Sequence, residues 1–460
     1  MDRRTFIKGA ATAAAGWVGI PTIVSAAVAA KTRPNDKIQI GQIGIGRIAR
    51  THDLPEVLKH DLCRVVAVAD VDSKRAAEGK KWIEDTYAKK TGRPDAVDVK
   101  TYADYREMLQ DPAIDAVIIS TPDHWHAQPA MEAALAGKDI YLQKPTSLTI
   151  AEGRRMSDVI HRTGRIFQIG CQQRSLNPWP QFLAACERVR NGRIGELKRI
   201  LIGLPTDPGA EAEPEMPVPA NLNYDMWLGS TPSVYYTEKR AHPQNDYSRP
   251  GWLRCEQFGA GMITGWGAHH FDIAHWAMDT EYTGPVEIEA RAEFPKSGLW
   301  DVHGKFKVSA RYANGVALEA SDELANGLRF EGTEGWIFVS RSSEVTASDP
   351  VSGASKSKSY EASDPKILTS AIGPEEVHLY QSPEQHLNWL ECIKSRRQPI
   401  APAEVGHRSC SACLLSHIAM KLGRKLRWDP RRERFIDDEQ ANALLSRPQR
   451  RPYGTLYMEA

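Results

Sequence analysis

The chain has 460 residues, 41 % of them hydrophobic and 25 % charged, and a formal net charge of +1. That length exceeds one ordinary core and implies two domains. A near-neutral charge, with no basic run among stacking aromatics, gives no reason to expect nucleic acid, and seven scattered cysteines exclude a disulfide-stapled scaffold.

The first thirty residues form a separate unit. Arg3, Arg4, Phe6 and Lys8 precede a small-residue, weakly apolar run that ends near Ala30. Residues 1–30 therefore resemble a twin-arginine export signal, an address rather than structure, and a periplasmic or otherwise exported protein is expected. No other run approaches membrane-spanning length, so no membrane span is expected in the mature protein.

Residues 35–170 alternate strand and helix. The segments beginning KIQIGQI, CRVVAVAD, AVIIS, DIYLQ and RIFQIG read as strands with near-continuous apolar runs, each next to a helical pattern. Such strands predict a parallel sheet covered on both faces, a dinucleotide-binding domain. The first turn, Gly44-Ile45-Gly46-Arg47-Ile48-Ala49, fits G-x-G-x-x-A, with Asp70 closing the next strand. In that pattern the first glycine makes the tight turn, the second clears a pyrophosphate, and the acid meets an adenosine ribose. Asp70 would repel a 2′-phosphate, which favours NAD over NADP. Thr121, Pro122 and His126 follow the AVIIS strand, where open sheets of this kind bind ligands.

Residues 171–460 change character. A helix is expected near 179–192, then the strand ELKRILIGL and a Pro/Gly/Glu-rich surface loop. Strand-like runs between 286 and 340 predict a large, mostly antiparallel sheet, and the hydrophobe-poor stretch from Arg341 to Pro365 a mobile excursion. Two helices follow, one of which holds Cys410 and Cys413 as buried small hydrophobes. The predicted fold is thus α/β: an N-terminal Rossmann domain and a C-terminal α+β domain.

The stretch MITGWGAHHFDIAHW, residues 262–276, concentrates His269, His270, Asp272 and His275 on one helix. His270 and His275 do not converge with His269, so the ligand set is poor and no metal is expected there.

The Thr-Pro-x-x-x-His loop, YLQKP at 141–145 and the Gly-x-His helix together resemble the glucose–fructose oxidoreductase / inositol dehydrogenase (Gfo/Idh/MocA) family. The resemblance implies NAD(P)-dependent oxidation or reduction of a ring hydroxyl or carbonyl on a sugar, glycoside or cyclitol, with a tightly held, recycled cofactor. It makes residues 171–460 a substrate and oligomerisation domain, and a homodimer or homotetramer the expected assembly. It makes Lys144 a stabiliser of oxyanion charge and His269 the general acid/base, with Gln143 and Lys144 beside the cofactor. Gln172, Arg174, Trp227, Arg254, His270 and Asp272 become substrate contacts. The chain departs from the family twice: Gln143 replaces a glutamate, and Gly265 stands where an aspartate is usual, four residues before His269. A neighbouring chemistry is an NAD-dependent glycoside hydrolase or lyase that oxidises the ring transiently and eliminates. A binding protein that keeps an inactive nucleotide fold is a third reading.

Overall fold

The computed structural model describes residues 37–341 and 359–458; the twin-arginine segment lies outside them. Six strands form one parallel sheet: β1 (Ile38–Ile43), β2 (Cys63–Ala69), β3 (Lys100–Tyr102), β4 (Ala116–Ile119), β5 (Asp139–Leu142) and β6 (Phe167–Ile169). Their order is β3-β2-β1-β4-β5-β6. β1, β4, β5 and β6 are almost wholly buried, as runs of Ile, Val and Leu require when both faces are covered. β3 gave no signal in the sequence: it is a three-residue Lys-Thr-Tyr edge strand, mostly exposed.

The order reverses between β1 and β4, which opens a crevice at their carboxyl ends. Gly44 leaves β1 at φ +82°, and a Cβ there would lie 2.9 Å from the Ser120 carbonyl, so only glycine makes this turn. The following helix is not the regular one expected. Ala49–Asp53 forms a π turn that runs into a short α-helical turn, Leu54–Val57. A helix from far along the chain, Gln385–Ser395, completes this half by packing against β5 and the Leu54–Val57 turn, with Trp389, Leu390 and Ile393 in the apolar core.

The second sheet has nine strands: β7 (Leu197–Gly203), β8 (Glu287–Ala292), β9 (Phe306–Arg311), β10 (Ala317–Ser321), β11 (Gly327–Gly332), β12 (Trp336–Val339), β13 (Tyr360–Ala362), β14 (Leu426–Asp429) and β15 (Arg434–Phe435). β7 and β10 pair in parallel while the other pairs are antiparallel. Strict alternation of buried and exposed residues along β9 shows one face on the core and the other facing outward. Helices Gln181–Arg190, Gly267–Met278 and Ala403–Leu422 pack against the inner side. β13 corrects part of the expected excursion, because Tyr360–Ala362 extends the sheet at β12; residues 342–358 lie outside the described residues. All seven cysteines are buried and free, Cys410 and Cys413 among them.

Candidate active site

A cleft opens at the carboxyl ends of β1, β2, β4 and β5, with about 1290 Å³ of empty volume including its mouth. Gly44, Gly46, Arg47, Ile48, Asp70, Thr121, Pro122, His126, Gln143 and Lys144 line it, together with Trp227 and Gly265. A Cβ on Gly46 would find no neighbour nearer than 3.9 Å, so that backbone faces open space of the kind a pyrophosphate fills. Ala49 is fully buried and packs beneath the turn.

Asp70 holds the glycine turn in shape. Its carboxylate accepts from Ile45 N at 2.7 Å and from Asp72 N at 2.9 Å, and burial raises its pKa. Beyond it, Lys74 Nζ donates to the Gln244 carbonyl at 2.7 Å and Arg75 to the Pro243 carbonyl at 2.7 Å. The Tyr247 ring lies under both Arg50 (4.4 Å) and Arg75 (4.7 Å), and its hydroxyl donates to Glu78 at 2.6 Å. Residues 242–252 thus form a strap along this end, with His242, Ser248, Pro250 and Trp252 in the cleft wall.

Lys144 sits at the other end. Its Nζ donates to the Gly265 carbonyl at 2.8 Å, across the very position where the family places an acid. Burial lowers its pKa to about 8, opposed chiefly by the charge of Asp123. Asp123 is in the same wall and only 5 % exposed; burial raises it to about 7, with Lys144 holding it back. The sequence places Asp123 in the Thr121-Pro122-Asp123 loop on the nicotinamide side, but nothing in a loop acid announces its burial or its partner. His126 ties the two strand ends together, its Nε2 lying 2.9 Å from the Thr121 carbonyl and its Nδ1 against that of Pro145. Burial takes His126 down to about 4. Gln143, also in the cleft wall, spends its amide on Asp53, donating to Oδ1 at 2.7 Å.

The histidine helix behaves differently. All twelve residues of Gly267–Met278 are buried. His269 lies behind the wall, 4 % exposed, and its Nδ1 has no partner among the described residues. Burial, then the charges of Arg341 and Lys144, depress it well below an ordinary imidazole. Arg341 also went unnoticed in the sequence; its guanidinium lies between Trp179 (4.0 Å) and Trp266 (4.8 Å).

Several expected substrate contacts are internal instead. Asp272 accepts from Arg174 Nε at 2.6 Å and Nη2 at 2.9 Å, and from Ser409 at 2.9 Å; Arg174 also reaches Glu281 at 2.6 Å. A guanidinium and a carboxylate both shut away from water have to satisfy each other, so this pair anchors the helix and does not orient His269. His270 meets Asn326 Oδ1 at 2.9 Å, and His275 the Tyr312 hydroxyl at 2.8 Å. Gln172 is buried outside the cleft wall. Arg254 donates to Asp207 at 3.0 Å and stacks on Trp300 in an adjoining groove. Of these expected contacts, Trp227 alone lines the cleft.

The sequence matches the profile of an oxidoreductase family's NAD-binding Rossmann fold over residues 38–171. It matches that family's C-terminal alpha/beta domain over 207–352 and 368–455. A scyllo-inositol 2-dehydrogenase (NAD(+)) from Bacillus subtilis is 30 % identical over 35 % of this chain and 42 % of its own. A glycosyl hydrolase family 109 protein from Shewanella baltica is 30 % identical over 43 % of this chain and 44 % of its own. The chain thus spans less than half the length of these two relatives. Among solved structures, aldose-aldose oxidoreductase from Caulobacter crescentus superposes with a TM-score of 0.57 at 17 % identity, covering 85 % of this chain and all of that one. The WlbA dehydrogenase from Bordetella pertussis, in complex with NADH and UDP-GlcNAcA, gives 0.56 at 16 % identity over 86 % and 99 %. At such identities these structures speak for the fold.

Proposed function

Because the chain belongs to the Gfo/Idh/MocA oxidoreductase family, we propose that it oxidises or reduces a ring hydroxyl or carbonyl of a sugar, glycoside or cyclitol with NAD. The observation that carries this reading is that Lys144, held on the Gly265 carbonyl at 2.8 Å, and the buried Asp123 line the same nucleotide cleft. The nicotinamide, when bound, accepts or supplies the hydride.

The residues of this chain handle the proton. With a pKa near 8, Lys144 exists partly as the free amine at neutral pH and takes the hydroxyl proton as the carbonyl forms. Asp123 stabilises the resulting ammonium, the service an acid at position 265 would give. His269 is neutral and a weaker base than the sequence suggested, so the proton-accepting role passes to Lys144. Trp227 and Trp252 offer apolar faces to a sugar ring.

Gly46 and Asp70 would hold the pyrophosphate and the ribose. Asp70 at the end of β2 would repel a 2′-phosphate, and Lys74 just beyond it is committed to the Gln244 carbonyl of the strap, which supports NAD over NADP. Export by the twin-arginine route fits a cofactor taken up before transport and recycled in each turnover.

The test is purified protein analysed for co-purifying dinucleotide, then offered free sugars, cyclitols and aryl glycosides. Net formation of reduced nicotinamide with a free sugar or cyclitol is the expected result; protein with no dinucleotide and no affinity for one would overturn the reading. A second reading, an NAD-dependent glycosidase acting by transient oxidation and elimination, is favoured by the family 109 relatives. Release of aglycone without net reduced cofactor would select it.

A further inference from the structure

Behind Gln143, three groups distant in sequence meet. His52 and Asp53 close the π turn after the glycine loop, and His386 lies in the first turn of the helix Gln385–Ser395. One donor atom from each lies within 4.8 Å of the other two. His386 Nε2 stands 3.2 Å from Asp53 Oδ1, close to the edge of about 3.3 Å that two ligands make around a tetrahedral ion bound at about 2.0 Å.

The surroundings are those of ligands. His386 Nδ1 faces Glu384 Oε1 at 3.3 Å, and Glu384 Oε2 faces His60 Nε2 at 2.8 Å. Metal-bound imidazoles usually give their second N–H to a carboxylate in this way, and ligating carboxylates are themselves hydrogen-bonded. Asp53 accepts from Ser120 Oγ at 2.6 Å and Gln143 Nε2 at 2.7 Å. His52 supplies the independent sign. Its Nε2 is buried without a hydrogen-bond partner among the described residues, although polar atoms in that position normally find one. Hydrogen bonding within the cluster accounts for His386 and His60 but leaves the His52 nitrogen without a role. A bound ion gives the His52 ring a ligand's role.

We propose that His52, Asp53 and His386 bind a divalent first-row cation, zinc being the best match to two imidazoles and a carboxylate, with Glu384 fixing His386. The ion fastens the helix Gln385–Ser395 to the ends of β4 and β5, one hydrogen bond from Ser120 and Gln143 in the cleft wall. It is distinct from the histidine helix, where no metal was expected.

The experiment uses tag-free full-length protein, stripped with chelator and titrated with Zn²⁺ and Co²⁺, with elemental analysis after dialysis and melting followed by circular dichroism. The expected result is about one ion per chain, the visible bands of tetrahedral Co²⁺, and a Tm raised by several degrees on zinc addition. His52→Leu discriminates, because it removes a nitrogen that has no partner. If the proposal holds, this variant folds but loses the ion and the zinc-dependent rise in Tm, and His386→Gln does the same. Less than about a tenth of an equivalent in the wild type, or zinc held equally by His52→Leu, would overturn it and leave a metal-free ion network.

Discussion

The strand ends around Lys144 and the helix Gly267–Met278 make opposite use of polar side chains. On the helix, where the sequence concentrates histidines, every residue is buried and most polar groups are spent on fixed partners: Asp272 on Arg174, His270 on Asn326, His275 on Tyr312. At the strand ends the polar groups are fewer, but they face open volume, and one buried acid, Asp123, and one half-buried base, Lys144, line it. Density of reactive residue types therefore marks how much a core must be satisfied, whereas chemistry follows access.

Mutations can break that contrast. Lys144→Met should lower turnover about 10³-fold while bound dinucleotide is retained, measured by steady-state rates and nucleotide content. If His269→Ala fell as far, the helix would be restored as the seat of the chemistry. Asp272→Ala should cost about 3 kcal/mol of stability in urea unfolding, because it strips a buried guanidinium of its bidentate partner, with turnover per folded molecule nearly unchanged. Asp123→Asn should slow oxidation about tenfold and also move its pH profile. Deprotonated Lys144 is the active base, so the wild-type rate should climb as pH rises through about 7 to 8. Loss of the Asp123 charge no longer favours the ammonium, so the climbing limb should shift to lower pH. The smallest effect is expected for His270→Ala, about 1 kcal/mol from the lost Asn326 hydrogen bond, with no change in the pH profile.

The parallel half was legible because its strands are continuous apolar runs and its turn needs glycine at 44. β3 was not, being short, polar and at an edge. The π turn Ala49–Asp53 and the parallel pairing of β7 with β10 were hidden as well, since side-chain periodicity carries neither backbone winding nor strand order. In the site, Gly46, Asp70, Thr121 and Lys144 announce themselves by their places at strand ends. Asp123 shows its place in the Thr121-Pro122-Asp123 loop but not its burial, and Arg341 shows neither, because their character comes from neighbours elsewhere in the chain. Arg174 and Asp272 misled for the same reason: 98 residues separate two halves of one salt bridge.

The strap of residues 242–252 bears on time rather than on affinity. Tyr247 is clasped by Arg50 and Arg75, and His242 reaches Asp72 at 3.1 Å, so the strap is latched at more than one point along the cleft wall. The measurement that gives this meaning is the off-rate of added NAD: loosening one latch by Tyr247→Ala is expected to speed release without touching the chemistry, and an unchanged off-rate would show that the strap takes no part in release.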